Sequence, residues 1–117
     1  IVNPATGEVV AGGRVQTSGR GIRTTLAAQR NQATGMPGTN TTIGVVAKDV
    51  RLSSVEANIV ASMAHDGIAR AIRPAHTLSD GDTLFVVSTG KRRGDVNSVG
   101  VLAAEIVAHA IIGAVDK

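Results

Sequence analysis

Two strand-like segments, each followed by a segment with helical periodicity, constrain the fold of this chain most strongly. Residues 41–47 and 83–89 are short apolar runs rich in β-branched residues, which is typical of buried strands. The order strand, helix, strand, helix over residues 41–117 predicts a layered α/β arrangement. Because a two-stranded sheet with free edges is not stable alone, we expect both strands to join a larger sheet.

The two predicted helices carry boundary signals. Ser53 and Glu56 have the spacing of a capping box, and Pro74 is predicted to end the first helix. The core-facing positions of this helix are predicted at Val55, Ile59, Val60, Met63, Ile68 and Ile72. The second helix is predicted over residues 98–115, with the core-facing positions Leu102, Ile106, Val107, Ala110 and Ala114.

Turns and connections are predicted elsewhere. Residues 1–12 contain the turn signature Asn-Pro-Ala-Thr-Gly before a short extended run, as in an edge hairpin. Residues 12–40 are glycine-rich and predict a long surface connection, in which only residues 24–30 have a short helical pattern. Residues 90–94, Gly-Lys-Arg-Arg-Gly, are predicted to form a turn.

Composition excludes several kinds of site. The 117 residues include no cysteine, which rules out disulfides, thiol catalysis and cysteine-ligated metal sites. No apolar run approaches the roughly 18–20 residues that span a bilayer, so no membrane association is expected. The first residues match neither an initiator methionine nor a signal peptide, and we expect an internal part of a longer, cytoplasmic protein.

The net charge of +3 lies in the first 40 residues, which hold four arginines and one glutamate. Proteins that bind RNA or single-stranded DNA usually stack bases on aromatic rings, and this segment has no Phe, Tyr or Trp. A solvated basic loop is therefore the simpler interpretation, with a basic nucleic-acid-binding module as an alternative.

A hydroxyl-bearing residue lies where the glycine-rich segment meets the first strand. Thr41 follows Asn40 and begins the predicted strand. If the Asn40–Thr41 bond is cut, Thr41 carries a free α-amine, with a pKa near 8, beside its own hydroxyl. The Asn40 carbonyl would be the target of that hydroxyl in an N-to-O acyl shift. Taken alone, however, the Asn-Thr pair fits an ordinary turn better.

Two carboxylates flank a glycine just before the second strand. Asp80 and Asp82 are spaced to face one cleft and to handle protons beside a nucleophile, although a solvated Asp-Gly turn is the simpler interpretation. His76 with both aspartates would form a metal ligand set, but no strict His/Asp ligand motif is present and no metal site is predicted. His109 follows Glu105 by four residues, which predicts a contact along one helix face.

Three segments together resemble one family. Asn40–Ala47, Met63–Thr77 and Asp80–Phe85 are similar to the self-processing DmpA/NylC family. That family contains L-aminopeptidase/D-amidase-esterases, β-peptidyl aminopeptidases and nylon-oligomer hydrolases. The resemblance covers nearly all of residues 41–117 in one register and, more loosely, residues 3–13.

The resemblance implies an architecture. It is a four-layer αββα sandwich like that of N-terminal-nucleophile hydrolases, of which this chain supplies a part. Residues 1–40 would be the tail of the larger subunit with its processing loop, and residues 41–117 the smaller subunit. The implied assembly is a homo-oligomer of processed heterodimers, with no metal and no organic cofactor.

The resemblance also implies roles. Self-cleavage would fall between Asn40 and Thr41, with Thr41 as the nucleophile and Asp80 and Asp82 assisting it. Asparagine before threonine is similar to the nylon-hydrolase branch rather than to the Gly-Ser aminopeptidase branch. The family's upstream catalytic lysine and asparagine have no counterpart in these residues, so the chain alone is expected to be inactive or poorly folded.

The sequence thus predicts a self-processing amidohydrolase that cleaves amide or short-peptide bonds through an acyl-enzyme. Its expected partners are a small peptide or amide substrate and the remainder of the larger subunit. One alternative is an aminopeptidase for short peptides with a small N-terminal residue. Another is a member without catalysis, whose processing site survives but whose cleft is lost.

Overall fold

The structure is a computed structural model that describes residues 1–12 and 41–115. Strand β1 (Ile43–Arg51) is followed by helix α1 (Ser54–Ala71), strand β2 (Thr83–Arg93) and helix α2 (Val96–Gly113). The two strands pair in parallel, with Ile43 opposite Thr83. The predicted α/β order is confirmed. Apart from residue 12, the predicted surface connection over residues 12–40, with its helical pattern and Asn40, lies outside the described residues.

Both helices begin at side-chain caps. At α1 the Ser53 hydroxyl accepts the Glu56 N–H at 3.2 Å, and Glu56 Oε2 accepts the Ser53 N–H at 2.7 Å, which confirms the predicted capping box. At α2 the carboxylate of Asp95 accepts the Ser98 N–H at 2.7 Å. The predicted start of α2 at Ser98 was too late, because Asp95 is the residue that caps the helix.

The helices cross at small residues. A Cβ atom on Gly67 would overlap the backbone carbonyl of Ala104, and one on Gly100 would overlap the Met63 side chain. The core beneath this crossing joins the helices to the inner face of the sheet and consists of Val46, Val60, Ala64, Ile68, Leu84, Val99, Ala103 and Val107.

Close helix packing overturns part of the predicted core. Val55 and Ile59 were expected to face inward but are 70% and 46% exposed, and Leu102 and Ile106 are each 51% exposed. The buried face of α2 carries glycine, alanine and valine instead, at Val99, Gly100, Ala103, Ala104, Val107 and Ala108. Since the helix axes approach closely only through small residues, the larger side chains turn outward.

Residues 90–93 continue strand β2, so the predicted turn over residues 90–94 was wrong. The pairing of β1 with β2 is irregular between Lys48 and Val50. Gly90 lies against this irregularity, where a Cβ atom would overlap the Asp49 carbonyl. Gly90 therefore permits a close approach of two backbones within the sheet rather than a reversal of the chain.

The outer face of the sheet is apolar and exposed in the described part of the chain. Ile43 is 71% exposed and Val45 65%, and on β2 Phe85 is 56% and Val87 44% exposed. The sequence predicted strands that are apolar on both faces. The helices cover only one of these faces.

The first residues form a hairpin that docks on α1 rather than on the sheet. Val2 and Val9 make an antiparallel bridge, and Gly7 has a left-handed backbone with φ 74° in the turn between them. Val2 is buried and donates its N–H to the Ala71 carbonyl at 2.7 Å. This bond satisfies one of the carbonyl groups left open at the end of α1.

Within residues 1–12 and 41–115, α2 is the one helix that is long and apolar enough to cross a membrane. Its mean hydropathy is 1.6 over Val96–Gly113, although polar residues such as Asn97 and Glu105 interrupt its apolar residues. The inner face of α2 is nevertheless part of the core, and Glu105 on this helix forms an ion pair with Arg70 of α1. A core helix accounts for the same composition.

Candidate active site

A cleft of about 280 Å³ lies at the edge of the sheet where both strands begin. Because β1 and β2 are parallel, the residues that precede them meet at the same edge. Thr41 and Thr42 come from the start of β1, and Asp80 and Asp82 come from the start of β2. The lining is completed by Ile72, Pro74 and Thr77. The structure thus brings together Thr41, Asp80 and Asp82.

Asp82 holds the residue that follows Thr41. Its Oδ1 accepts the Thr42 N–H at 2.8 Å, and the Thr83 N–H donates to the Thr42 carbonyl at 2.9 Å. A bond from an amide to a carboxylate is stronger than one between neutral groups. The backbone next to Thr41 is therefore fixed from two sides, while the Thr41 side chain is exposed at the cleft.

Asp80 closes a turn that also lines the cleft. Its Oδ2 accepts the Thr77 N–H at 2.7 Å, and its own N–H donates to the Thr77 carbonyl at 3.0 Å. Thr77 Oγ1 also accepts the Ser79 N–H at 3.3 Å. One oxygen of each carboxylate is thus bonded to the backbone, and both aspartates line the cleft.

Sequence comparison places the chain in a family. The model of Peptidase family S58 matches residues 5–117. The chain belongs to peptidase family S58. This is the DmpA/NylC family, so the predicted family is confirmed.

Relatives of this S58 chain include proteins named as aminopeptidases and as oligomer endohydrolases. An uncharacterized aminopeptidase of Mycobacterium tuberculosis is 42% identical over 91 residues, which is 65% of this chain and 26% of the relative. A 6-aminohexanoate-oligomer endohydrolase of Kocuria sp. is 38% identical over 88 residues, which is 64% of this chain and 25% of the relative. The chain spans about a quarter of the length of the curated relatives it matches.

The S58 chain places His76 away from the two aspartates. Its Nε2 lies 3.3 Å from Nδ1 of His65, with ring centroids 5.3 Å apart. The considered ligand set of His76, Asp80 and Asp82 is not assembled, and residues 1–12 and 41–115 contain no group of three His, Asp or Glu side chains that could hold a metal. The contact between His65 and His76 was not predicted.

Sequence reasoning also missed the rest of the cleft lining. Ile72 and Pro74 follow the end of α1, and Thr77 shares a turn with the predicted Asp80. The signal that could have indicated these three residues is their place in the chain, between α1 and the Asp-Gly-Asp segment. The predicted contact between Glu105 and His109 is not the one observed, since Glu105 pairs with Arg70 across the helix interface.

Proposed function

We propose that the full-length protein is a self-processing amidohydrolase whose nucleophile is Thr41. One observation carries the proposal: Thr41 lies in the same cleft as Asp80 and Asp82, with the next peptide unit held by the Asp82 carboxylate. Membership of a peptidase family and relatives named as aminopeptidase and oligomer endohydrolase support hydrolytic chemistry.

Self-processing would begin at the Asn40–Thr41 bond. Thr41 Oγ1 loses its proton and attacks the Asn40 carbonyl carbon, and the C–N bond breaks as the Thr41 nitrogen takes up that proton. The resulting ester between Asn40 and the Thr41 oxygen is then hydrolysed by water. The products are a carboxylate on Asn40 and a subunit that begins with the free amine of Thr41.

Turnover would use the same atom again. The α-amine of Thr41 takes the hydroxyl proton while the oxygen attacks a substrate amide, and the leaving amine takes that proton as the C–N bond breaks. Water then hydrolyses the acyl ester. Asp82 keeps Thr42, and with it the attacking residue, in place, and Asp80 fixes the turn from Thr77 that lines the cleft.

The cleft is lined by both acidic and apolar side chains. Asp80 and Asp82 are the acidic ones, and Ile72 and Pro74 are apolar. This combination suits a short amide or peptide with an amino group next to a short apolar stretch. An amide oligomer is the first substrate class, and short peptides with a free N-terminus are the second, favoured by the relatives named aminopeptidase.

The remainder of the protein would complete the fold. We propose that residues 1–40 end the larger subunit and that residues 41–117 belong to the smaller one. A second sheet from the larger subunit would cover the exposed face that carries Ile43, Val45 and Phe85 and so form the four-layer αββα sandwich. Upstream residues would complete the site, and processed heterodimers would assemble into a cytoplasmic homo-oligomer without metal or organic cofactor.

Amide hydrolysis by full-length Thr41→Ala tests the proposal. We expect a loss of at least about 1,000-fold, because the attacking oxygen is removed. Ser62→Ala is the matched control, since it removes an exposed helix hydroxyl that donates to the Asn58 carbonyl of its own helix. Activity of Thr41→Ala near that of the control would contradict the assignment.

A further inference from the structure

The geometry points to Gly81 as a positioning residue for the Thr41 hydroxyl, an inference that rests on the proposed function. A Cβ atom on Gly81 would lie 2.9 Å from Thr41 Oγ1 but 3.8 Å and 3.9 Å from its Cγ2 and Cβ atoms. The hydroxyl is therefore the part of Thr41 that faces Gly81. Gly81 lies between Asp80 and Asp82 in the sequence. Because it has no side chain, it leaves room for this oxygen.

Space, not backbone conformation, is what requires glycine here. Within the described ranges, the one glycine with a left-handed backbone is Gly7. An alanine at position 81 is therefore free of the strain that a left-handed backbone imposes on a side chain. The alanine adds a methyl group, however, and this group would lie so close to Thr41 Oγ1 that one of the two must move.

The backbone on either side of Gly81 is held. Asp80 is bonded twice to Thr77, at 2.7 and 3.0 Å, and Asp82 is bonded to the Thr42 N–H at 2.8 Å. Relief must therefore come from the Thr41 side chain itself. Threonine is β-branched and restricted at χ1, so a rotation that relieves the contact carries the hydroxyl away from its place.

The test measures self-cleavage and turnover of full-length Gly81→Ala. We expect both rates to fall by about 10- to 100-fold, because a displacement of the reacting atom of up to about 1 Å has costs of this order. In turnover the loss should appear in kcat with KM nearly unchanged. Gly113→Ala is the matched control, since a Cβ atom there meets nothing within 4 Å among residues 1–12 and 41–115.

A second variant pair separates positioning from a general loss of structure. Serine lacks the Cγ2 methyl group, so in a Thr41→Ser background the hydroxyl tilts more freely. We expect Gly81→Ala to cost at least threefold less in that background than in the wild type. Melting temperature reports whether each variant is folded.

Two results would overturn the inference. Wild-type rates in Gly81→Ala would show that the methyl group does not displace the hydroxyl. Equal losses of rate in the wild-type and Thr41→Ser backgrounds would show that Gly81 supports the structure in general and does not act through Thr41. A loss of activity through unfolding in both backgrounds would show the same. Either result leaves the proposed function standing if Thr41→Ala is inactive; an active Thr41→Ala would remove the proposed function as well.

Discussion

The cleft edge of the sheet and the crossing of the two helices are built by opposite means. At the cleft, carboxylates of Asp80 and Asp82 hold backbone N–H groups of Thr77 and Thr42. At the crossing, glycine and alanine allow close apolar packing, and no polar side chain is buried in residues 1–12 and 41–115. The comparison indicates that the helices fix where the strands lie, while the edge residues determine what the cleft can do.

At the cleft, we expect substitution of the carboxylates to cause large losses of activity without loss of fold. Asp82→Asn keeps an oxygen that can accept the Thr42 N–H but removes the charge. We expect processing or turnover to slow by about 10- to 100-fold, and Asp82→Ala to lose more because the bond is also removed. Asp80→Asn should likewise slow one or both steps in rate assays.

Asp49→Asn serves as the control for these variants, since Asp49 is an exposed acid on β1 outside the cleft. The melting temperature of all four proteins should agree within a few degrees. Unchanged rates in Asp80→Asn and Asp82→Asn would mean that the carboxylates only shape the backbone.

The helix crossing predicts the reverse, a loss of stability with the chemistry intact. The methyl group of Gly67→Ala would overlap the Ala104 carbonyl, so the helices must separate. We expect a loss of about 1–3 kcal/mol in the free energy of unfolding, measured by denaturant melts of the full-length protein. Activity per folded molecule should stay near that of the wild type.

Gly113→Ala again provides the control, because it adds the same methyl group at an open position. Equal stability of the two variants would show that the helices accommodate a methyl group at Gly67 without separating. A fall in kcat of folded Gly67→Ala would contradict the separation of roles between crossing and cleft.

The helix caps predict a smaller, pH-dependent effect. Hydrogen bonds from Ser53 hold the pKa of Glu56 below its ordinary value, and those from Ser98 do the same for the pKa of Asp95. Because these pKa values are lower in the folded protein, the caps stabilise it above the unfolded-state values. That contribution is lost as the pH falls from about 5 through the folded pKa values.

Melting temperature measured between pH 7 and pH 3 checks this effect. In the double variant Glu56→Gln and Asp95→Ser, both positions keep hydrogen-bonding oxygens but no longer titrate. We expect its melting temperature to fall a few degrees less over this range than that of the wild type. Parallel curves would mean that the caps do not contribute to the pH dependence.

Local signals in the sequence predicted the elements better than their contacts. The Ser53 cap, the helix end before Pro74 and the start of β2 at Thr83 follow from short-range patterns and are present in the structure, whereas β1 begins two residues after the predicted Thr41. The outward turn of Leu102 depends on how closely two helices approach, which no local pattern states. The continuation of β2 through Gly90 depends on an irregularity in the other strand.

The candidate site divides in the same way. Spacing marked Asp80 and Asp82 as candidates, and the place between a glycine-rich segment and a strand marked Thr41, but only the family resemblance favoured catalytic roles for them over ordinary turns. Their common cleft follows from the parallel pairing of strands that are 40 residues apart in register, from Ile43 to Thr83. The contact between His65 and His76 joins a helix to a turn and has no periodic signal.

The mass of the full-length protein tests the central claim most directly. Intact-mass analysis with N-terminal sequencing should find a smaller subunit that begins at Thr41 in the active wild type and only uncut chain in Thr41→Ala. An active protein that contains only uncut chain, or a smaller subunit that begins at another residue, would contradict the account.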